Sequence, residues 1–272
     1  MAVFRAGQSV CVGAMAVNWV WGLVLAGGVA WIAYRMRLLT WDGALGAIAV
    51  GTSTFGVGGW QASGLLIFFF FSSSLLPRVL GRRHASEQRH LWQVLANGGV
   101  PTLAVWLAWL VPEWADRAWV AYTASLACAT GDTWAAEIGV RYGNRPRLIT
   151  TGRPVPAGTS GGVSLAGTLG ALAGCGMLAG LGAGLLGLSW VQARWAFGSG
   201  FAGVMLDSLS GATVQACFVC SRCARPVETR QHCAVRAQFV SGWRWLDNHG
   251  VNALSTLASA LAGMMGMHAL PL

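Results

Sequence analysis

Stretches of roughly 20 residues without a charge recur along this chain, and each is long enough to cross a bilayer as a helix. They read as spans over about 14–34, 41–58, 61–77, 91–111, 117–138, 163–187, 195–216 and 250–268. Charged residues fill 10% of the 272 positions and apolar residues 55%. A soluble domain carries about 25% charged residues. The expected fold is therefore all-α: a polytopic integral membrane helix bundle of about eight transmembrane helices. It forms a single membrane domain over 1–272, with a Cys/His-containing loop at about 217–249. The first run is too long for a signal-peptide core and reads as a retained helix.

The arginines orient the bundle. The net charge is +9, and all 18 basic residues are arginine. Fifteen of them fall in the loops 35–40, 78–90, 139–162 and 217–249. The other side holds Arg5, Arg117 and Arg194. Arginine accumulates in cytosolic loops, so both termini are expected outside, in a bacterial inner (plasma) membrane. The basic balance fits this asymmetry and contact with anionic lipid, not nucleic acid. The absence of lysine excludes a P-loop lysine.

Ionisable groups inside a membrane are costly and mark function. Asp132 and Glu137 lie in the cytosolic half of the fifth span, Asp207 lies in the seventh, and Asp247 opens the eighth beside Asn248 and Asn252. Gln93 and Asn97 share a face of the fourth span, being four residues apart. Acids with no lysine or arginine inside the bundle to pair them point to a bound cation, and hard oxygen ligands select Mg²⁺. Asp207 falls near the middle of its expected span. The glycines of the sixth span, such as Gly167, Gly170 and Gly174, read as a close-packing face.

The loop before the sixth span reads Arg153-Pro-Val-Pro-Ala-Gly-Thr159-Ser160-Gly161-Gly162. Glycines let a backbone approach an anion, and free N–H groups at a helix start bind phosphate. Thr159 and Ser160 add hydroxyls, and Arg145, Arg147 and Arg153 add charge that suits phosphate. Farther on, Cys220-x-x-Cys223 followed by His232-Cys233 has the character of a zinc site, with Cys217-x-x-Cys220 competing for the assignment. It is expected to be structural, with no catalytic part.

Gly131-Asp132-Thr133-Trp134-Ala135-Ala136-Glu137-Ile138-Gly139 resembles the acidic motif of the transmembrane-protein-19-like family, which includes phytyl-phosphate kinases. Ser72-Ser73-Ser74-Leu75, Gln88-Arg89 and Asp207-Ser208-Leu209-x-Gly211-Ala212-Thr213 resemble further motifs, in family order, as does Trp243-Arg244-Trp245-Leu246-Asp247-Asn248. More distantly, the order of motifs is similar to CTP-dependent phosphatidate cytidylyltransferases and dolichol kinases. The resemblance implies a Mg²⁺-dependent kinase that uses CTP or ATP to convert an isoprenyl monophosphate, of the phytyl, geranylgeranyl or farnesyl type, to the diphosphate. Asp132, Glu137 and Asp207 would hold Mg²⁺, with Arg153 stabilising developing charge. Thr159, Ser160, Gly161, Gly162, Ser208, Asp247, Asn248, Asn252, Arg145, Gln93 and Asn97 would contact nucleotide and substrate. Two alternatives stand beside this reading: a lipid cytidylyltransferase on the same scaffold, and a non-enzymatic lipid transporter or flippase.

Overall fold

The computed structural model describes residues 12–81 and 88–266. Arg5, Arg82, Arg83 and the end of the last expected span lie outside the described residues. Seven helices are present: α1 (Val12–Arg35), α2 (Trp41–Val79), α3 (Leu91–Leu110), α4 (Ala115–Tyr142), α5 (Leu165–Leu186), α6 (Trp190–Thr213) and α7 (Asn248–Gly266). A 3-10 turn at Pro112–Trp114 joins α3 to α4.

The 39-residue α2 is two helical arms. Gly59 adopts φ 66°, ψ −163° inside it, a region open almost only to glycine, and the chain reverses there. The reversal brings both ends of α2 beside the turn after α1. Arg78 Nη2 donates to the carbonyl of Met36 at 2.6 Å, and Thr40 N donates to Arg89 O at 3.1 Å. The second and third expected spans are these two arms, so the described residues contain eight helical segments. Two of the helices among them, Trp41–Val79 and Leu165–Leu186, are long and apolar enough to cross a membrane by length and composition.

The ends of the helices are written locally. Ser164 caps α5 by accepting from Gly167 N at 3.1 Å, and Gly187 closes that helix in the left-handed region. Ser189 and Gln192 form a capping box that starts α6 at Trp190, five residues before the expected start. The α3 helix lacks a side-chain cap of its own. Asp42 of α2 supplies one, accepting from Leu91 N at 2.9 Å.

The α4 helix forms the centre. It is buried along almost its whole first half, from Ala118 to Gly131, and it packs on α2, α3, α5, α6 and α7. Its residues there are mostly Ala, Ser, Thr and Gly, so neighbouring backbones come close. A Cβ on Gly131 would lie 2.5 Å from Cys175 Sγ, and one on Gly174 would lie 3.1 Å from Gly131 Cα. The fully buried Tyr122 donates its hydroxyl to Ala62 O in the second arm of α2, so its polar end is satisfied.

The chain is mostly helical, as expected, and its loops add short strands. Strands β1 (Arg147–Leu148) and β2 (Gly162–Val163) pair antiparallel across the loop before α5. After α6, β3 (Cys217–Val219) lies between β4 (Pro226–Val227) and β7 (Gln238–Ser241), and β5 (Gln231–His232) pairs with β6 (Val235–Arg236). Backbone groups in these long connections need partners, and short ladders supply them. Strands of two to four residues leave no periodicity for a sequence reading to detect.

Replacing Gly131 with leucine is expected to overpack the α4–α5 contact and cost about 1–3 kcal/mol. Gly180→Leu, where a side chain meets nothing within 4 Å, is the control and should melt like the parent. Thermal unfolding of both variants in the same detergent checks this.

Candidate functional site

A cavity of about 280 Å³ opens between the ends of α4, α5 and α6, the loop before α5 and the segment after α6. One face of α4 forms its first wall: Asp132, Ala135, Ala136 and Gly139 recur at helical spacing. Asp207, Ser208 and Gly211 of α6 form the second, and the 157–164 loop the third. Glu228 and Asn248 complete the lining.

Asp207 is less deep than expected. Because α6 runs from Trp190 to Thr213, the acid lies six residues from the loop end. Its Oδ2 accepts from Ser255 Oγ at 2.8 Å, and the Asn252 amide nitrogen, oriented as a donor, reaches it at 3.2 Å. Asp132 lies in the fields of both Asp207 and Glu228, and Asp207 in that of Glu228. No arginine stands among the described lining residues, and the sequence has no lysine.

The glycine-rich loop is held by backbone geometry. Ile149 N donates to Gly161 O at 2.9 Å beside the β1–β2 pair. Gly161 has φ +72°, and a Cβ there would lie 2.4 Å from Ala212 Cβ and 2.7 Å from Ala212 N. Both facts demand glycine, and the close approach sets the loop on the end of α6 that carries Asp207 and Ser208. Ser160 then ties in the segment after α6: it accepts from Gln215 Nε2 at 3.1 Å and donates to Glu228 Oε1.

The structure thus brings together Asp132, Asp207, Thr159, Ser160, Gly161, Gly162, Ser208 and Asn248. Asn252 joins through its bond to Asp207. Other expected site residues lie elsewhere. Glu137 is five residues beyond Asp132, which turns it off the cavity-lining face of α4, and its charge acts on Arg89. Arg145 and Arg153 are exposed outside the cavity lining. Asp247 caps α7, accepting from Gly250 N at 3.0 Å. Gln93 and Asn97 bond to each other, Asn97 Nδ2 to Gln93 O at 3.3 Å, and Asn97 lines a different cavity.

Glu228, which the sequence reading placed only within the Cys/His segment, joins the cavity. An acid in a polar loop carries no desolvation cost and raises no flag, unlike one inside a span. Its neighbours form the second feature of this segment. One ligand atom from each of Cys220, Cys223, His232 and Cys233 comes within 4.8 Å of the others, a group that could hold a metal ion. Cys217 is outside that group. The backbone N–H of Cys223, followed by the His232 side chain, pulls the Cys220 thiol down to about 6.

Residues 24–260 match the family described as integral membrane protein DUF92. The chain belongs to that family. It is 31% identical to Protein PGR of Arabidopsis thaliana, over 89% of this chain and 93% of that one. It is 34% identical to an uncharacterized membrane protein of Methanocaldococcus jannaschii, over 65% of this chain and 75% of the other. Protein VTE6, chloroplastic, of Arabidopsis thaliana is 29% identical over 53% of this chain and 37% of its own length. These relatives agree with the transmembrane-protein-19-like resemblance of the motifs. The family description places the chain in a membrane, without choosing which one. No solved structure matches.

Ser160→Ala removes both contacts that join the two loops. Hydrogen exchange in the 226–230 segment should then rise by roughly tenfold or more, while the melting of the helices stays within a degree or two of the parent. Unchanged exchange would mean that the segment is held by its own strands alone.

Proposed function

We propose that this membrane protein is a phosphotransferase that moves the γ-phosphoryl group of CTP or ATP onto an isoprenyl monophosphate. One observation carries the reading. Three carboxylates from three separate elements, Asp132, Asp207 and Glu228, face one cavity opposite a glycine-rich loop, with no basic residue among the described lining. Such a group needs a cation from outside the chain, and all-oxygen donors suit Mg²⁺. Mg²⁺ bound there would neutralise charge on the nucleotide phosphates. Backbone N–H groups of the 158–162 loop and the hydroxyls of Ser160 and Ser208 would position those phosphates. Asn248 would orient the group that accepts. Glu228 takes the place first given to Glu137, because Glu228 lines the cavity and Glu137 does not. Phosphoryl transfer asks mainly for positioning and charge neutralisation, which this wall of polar groups is suited to supply. The acceptor phosphate is already an anion, so no general base is required.

The basic loops support a cytosolic site. Loop 35–40 bonds to Arg89, the ring of His90 lies 4.6 Å from that of His249, and Ser160 joins the loop before α5 to the segment after α6. All four arginine-rich loops therefore touch a neighbour at one end of the bundle. In this reading the eight segments all cross the membrane, with that end in the cytosol. The Cys/His group holds zinc, which thiolate and imidazole ligands favour, and keeps the strand pairs that present Glu228 folded.

Asp132→Asn and Asp207→Asn should each lower turnover of farnesyl phosphate with CTP or ATP by roughly 10²-fold or more, with little change in melting. The double variant should lose less than the product of the two, because both acids grip one ion. Turnover is read as nucleoside diphosphate released, beside thermal stability. Near-normal turnover in Asp132→Asn would sink the site, and pyrophosphate release would make the protein a cytidylyltransferase instead.

Purified protein should contain about one equivalent of zinc. Cys220→Ser should lower that content and reduce turnover together, since Glu228 loses its support. Metal analysis beside the same assay checks it; zinc lost with turnover intact would detach the cluster from the reaction.

A further inference from the structure

A second cavity of about 290 Å³ lies between α1, both arms of α2 and α3, and shares no residue with the acidic one. Its lining runs from Trp60, beside the Gly59 reversal, to Phe70, near the basic end. Ten residues of helix rise about 15 Å, so the cavity is a slot along the helix axes. The wall is almost wholly apolar. Its outer edge includes Leu25, Trp60 and Ile67, which are 48%, 62% and 41% exposed, so the slot opens sideways on the face a bilayer would cover.

The polar lining side chains are few. Ser63 is 8% exposed, and its hydroxyl is buried without a partner. Asn97 lies farther toward the basic end. There the lining includes Arg89, 7% exposed, with its guanidinium 5.3 Å from the ring centre of Phe69 and 5.8 Å from that of Phe70. Gly43 permits this placement: a Cβ there would fall 2.0 Å from Arg89 O, so the arginine backbone lies directly on the first turn of α2.

We propose that this slot binds a single-chain lipid, tail along α1 and α2, with an anionic phosphate head on Arg89. The choice of isoprenyl phosphate as occupant rests on the function proposed above; the slot and its charge do not. An apolar trench open to lipid excludes a soluble anion on its own, because the tail supplies most of the contact area. A neutral lipid leaves the buried guanidinium without an anion on the cavity side. Burial pulls Arg89 down to about 10 while the charge of Glu137 opposes that fall, so a second anion in a dry site would add to the field already holding the proton. Arginine has five N–H donors and can serve Glu137 and a phosphate oxygen together.

The test uses the full chain in lipid nanodiscs and farnesyl phosphate with a diazirine at the far end of its tail. Illumination and mass spectrometry should place adducts on α1 and α2, near Leu25, Phe55 and Trp60. Unlabelled farnesyl phosphate should compete; farnesol and inorganic phosphate at equal concentration should not. Ala47→Trp, which fills the slot, and Arg89→Gln should each weaken labelling at least tenfold, and Arg89→Lys should recover part of the loss. Adducts confined to other helices, equal competition by farnesol, or undiminished labelling in folded Ala47→Trp protein would overturn the proposal. Labelling that survives in Asp132→Asn protein separates the two ideas. The slot then stands even where no phosphoryl transfer occurs, while transfer that persists in Ala47→Trp with labelling unchanged removes the slot alone.

Discussion

Close approach of helix backbones to α4 is the constraint on which the rest of the structure depends. Inside a membrane, helices gain little from hiding apolar surface, since lipid tails are as apolar as leucine. Attraction must come from van der Waals contact at short range, and that requires small residues. The buried stretch of α4 consists mostly of them, and Gly131 meets Gly174 across the α5 interface. Asp132 is the next residue after Gly131. The position of the first acid is therefore set by a packing contact one residue away. Gly200 and Gly203 let α6 approach α4 in the same manner, a Cβ on Gly203 falling 2.8 Å from Cys128 Sγ, and this brings Asp207 to the same cavity.

The cavity gathers like charges, which the chain alone does nothing to favour. Asp207 is held by Ser255 and Asn252, both on α7, so the third helix of the cluster orients the second acid without lining the cavity at that point. Glu228 is held by Ser160, and Ser160 by the glycine turn that rests on Ala212. Asp207 and Glu228 are thus each held by a neighbour on another element, and Asp132 is placed by the packing of Gly131 before it. That arrangement sets all three acids on the lining of one cavity.

Parts of this were legible in the sequence because their causes are local. The reversal at Gly59 falls at the break between the second and third expected spans, whereas the equally local box Ser189-x-x-Gln192 starts α6 five residues before its expected start. Asp132, Asp207 and the loop from Thr159 to Gly162 were legible because polar residues stand out in an apolar chain. Glu137 is placed apart from the acidic cavity. It has the same type, helix and motif as Asp132, but five residues at 100° each turn it off the cavity and into the field of Arg89. Asp247 has the right charge in the right place and is used as a helix cap.

By itself the sequence determined that the chain would form apolar helices joined by arginine-rich loops, since hydropathy and charge are properties of residues and need no partner. It also determined which few acids lie within those helices. Only the tertiary structure decided which acids share a cavity. Glu228 reaches it from a loop 96 positions after Asp132, through a serine hydroxyl and a strand pair that no spacing rule encodes. Tertiary packing likewise separated Asn97 and Arg89 from the acidic site and placed them on an apolar slot. The physical reason is the same in both cases: a side chain's chemistry is fixed by its type, but its neighbours are fixed by how closely other backbones can approach it.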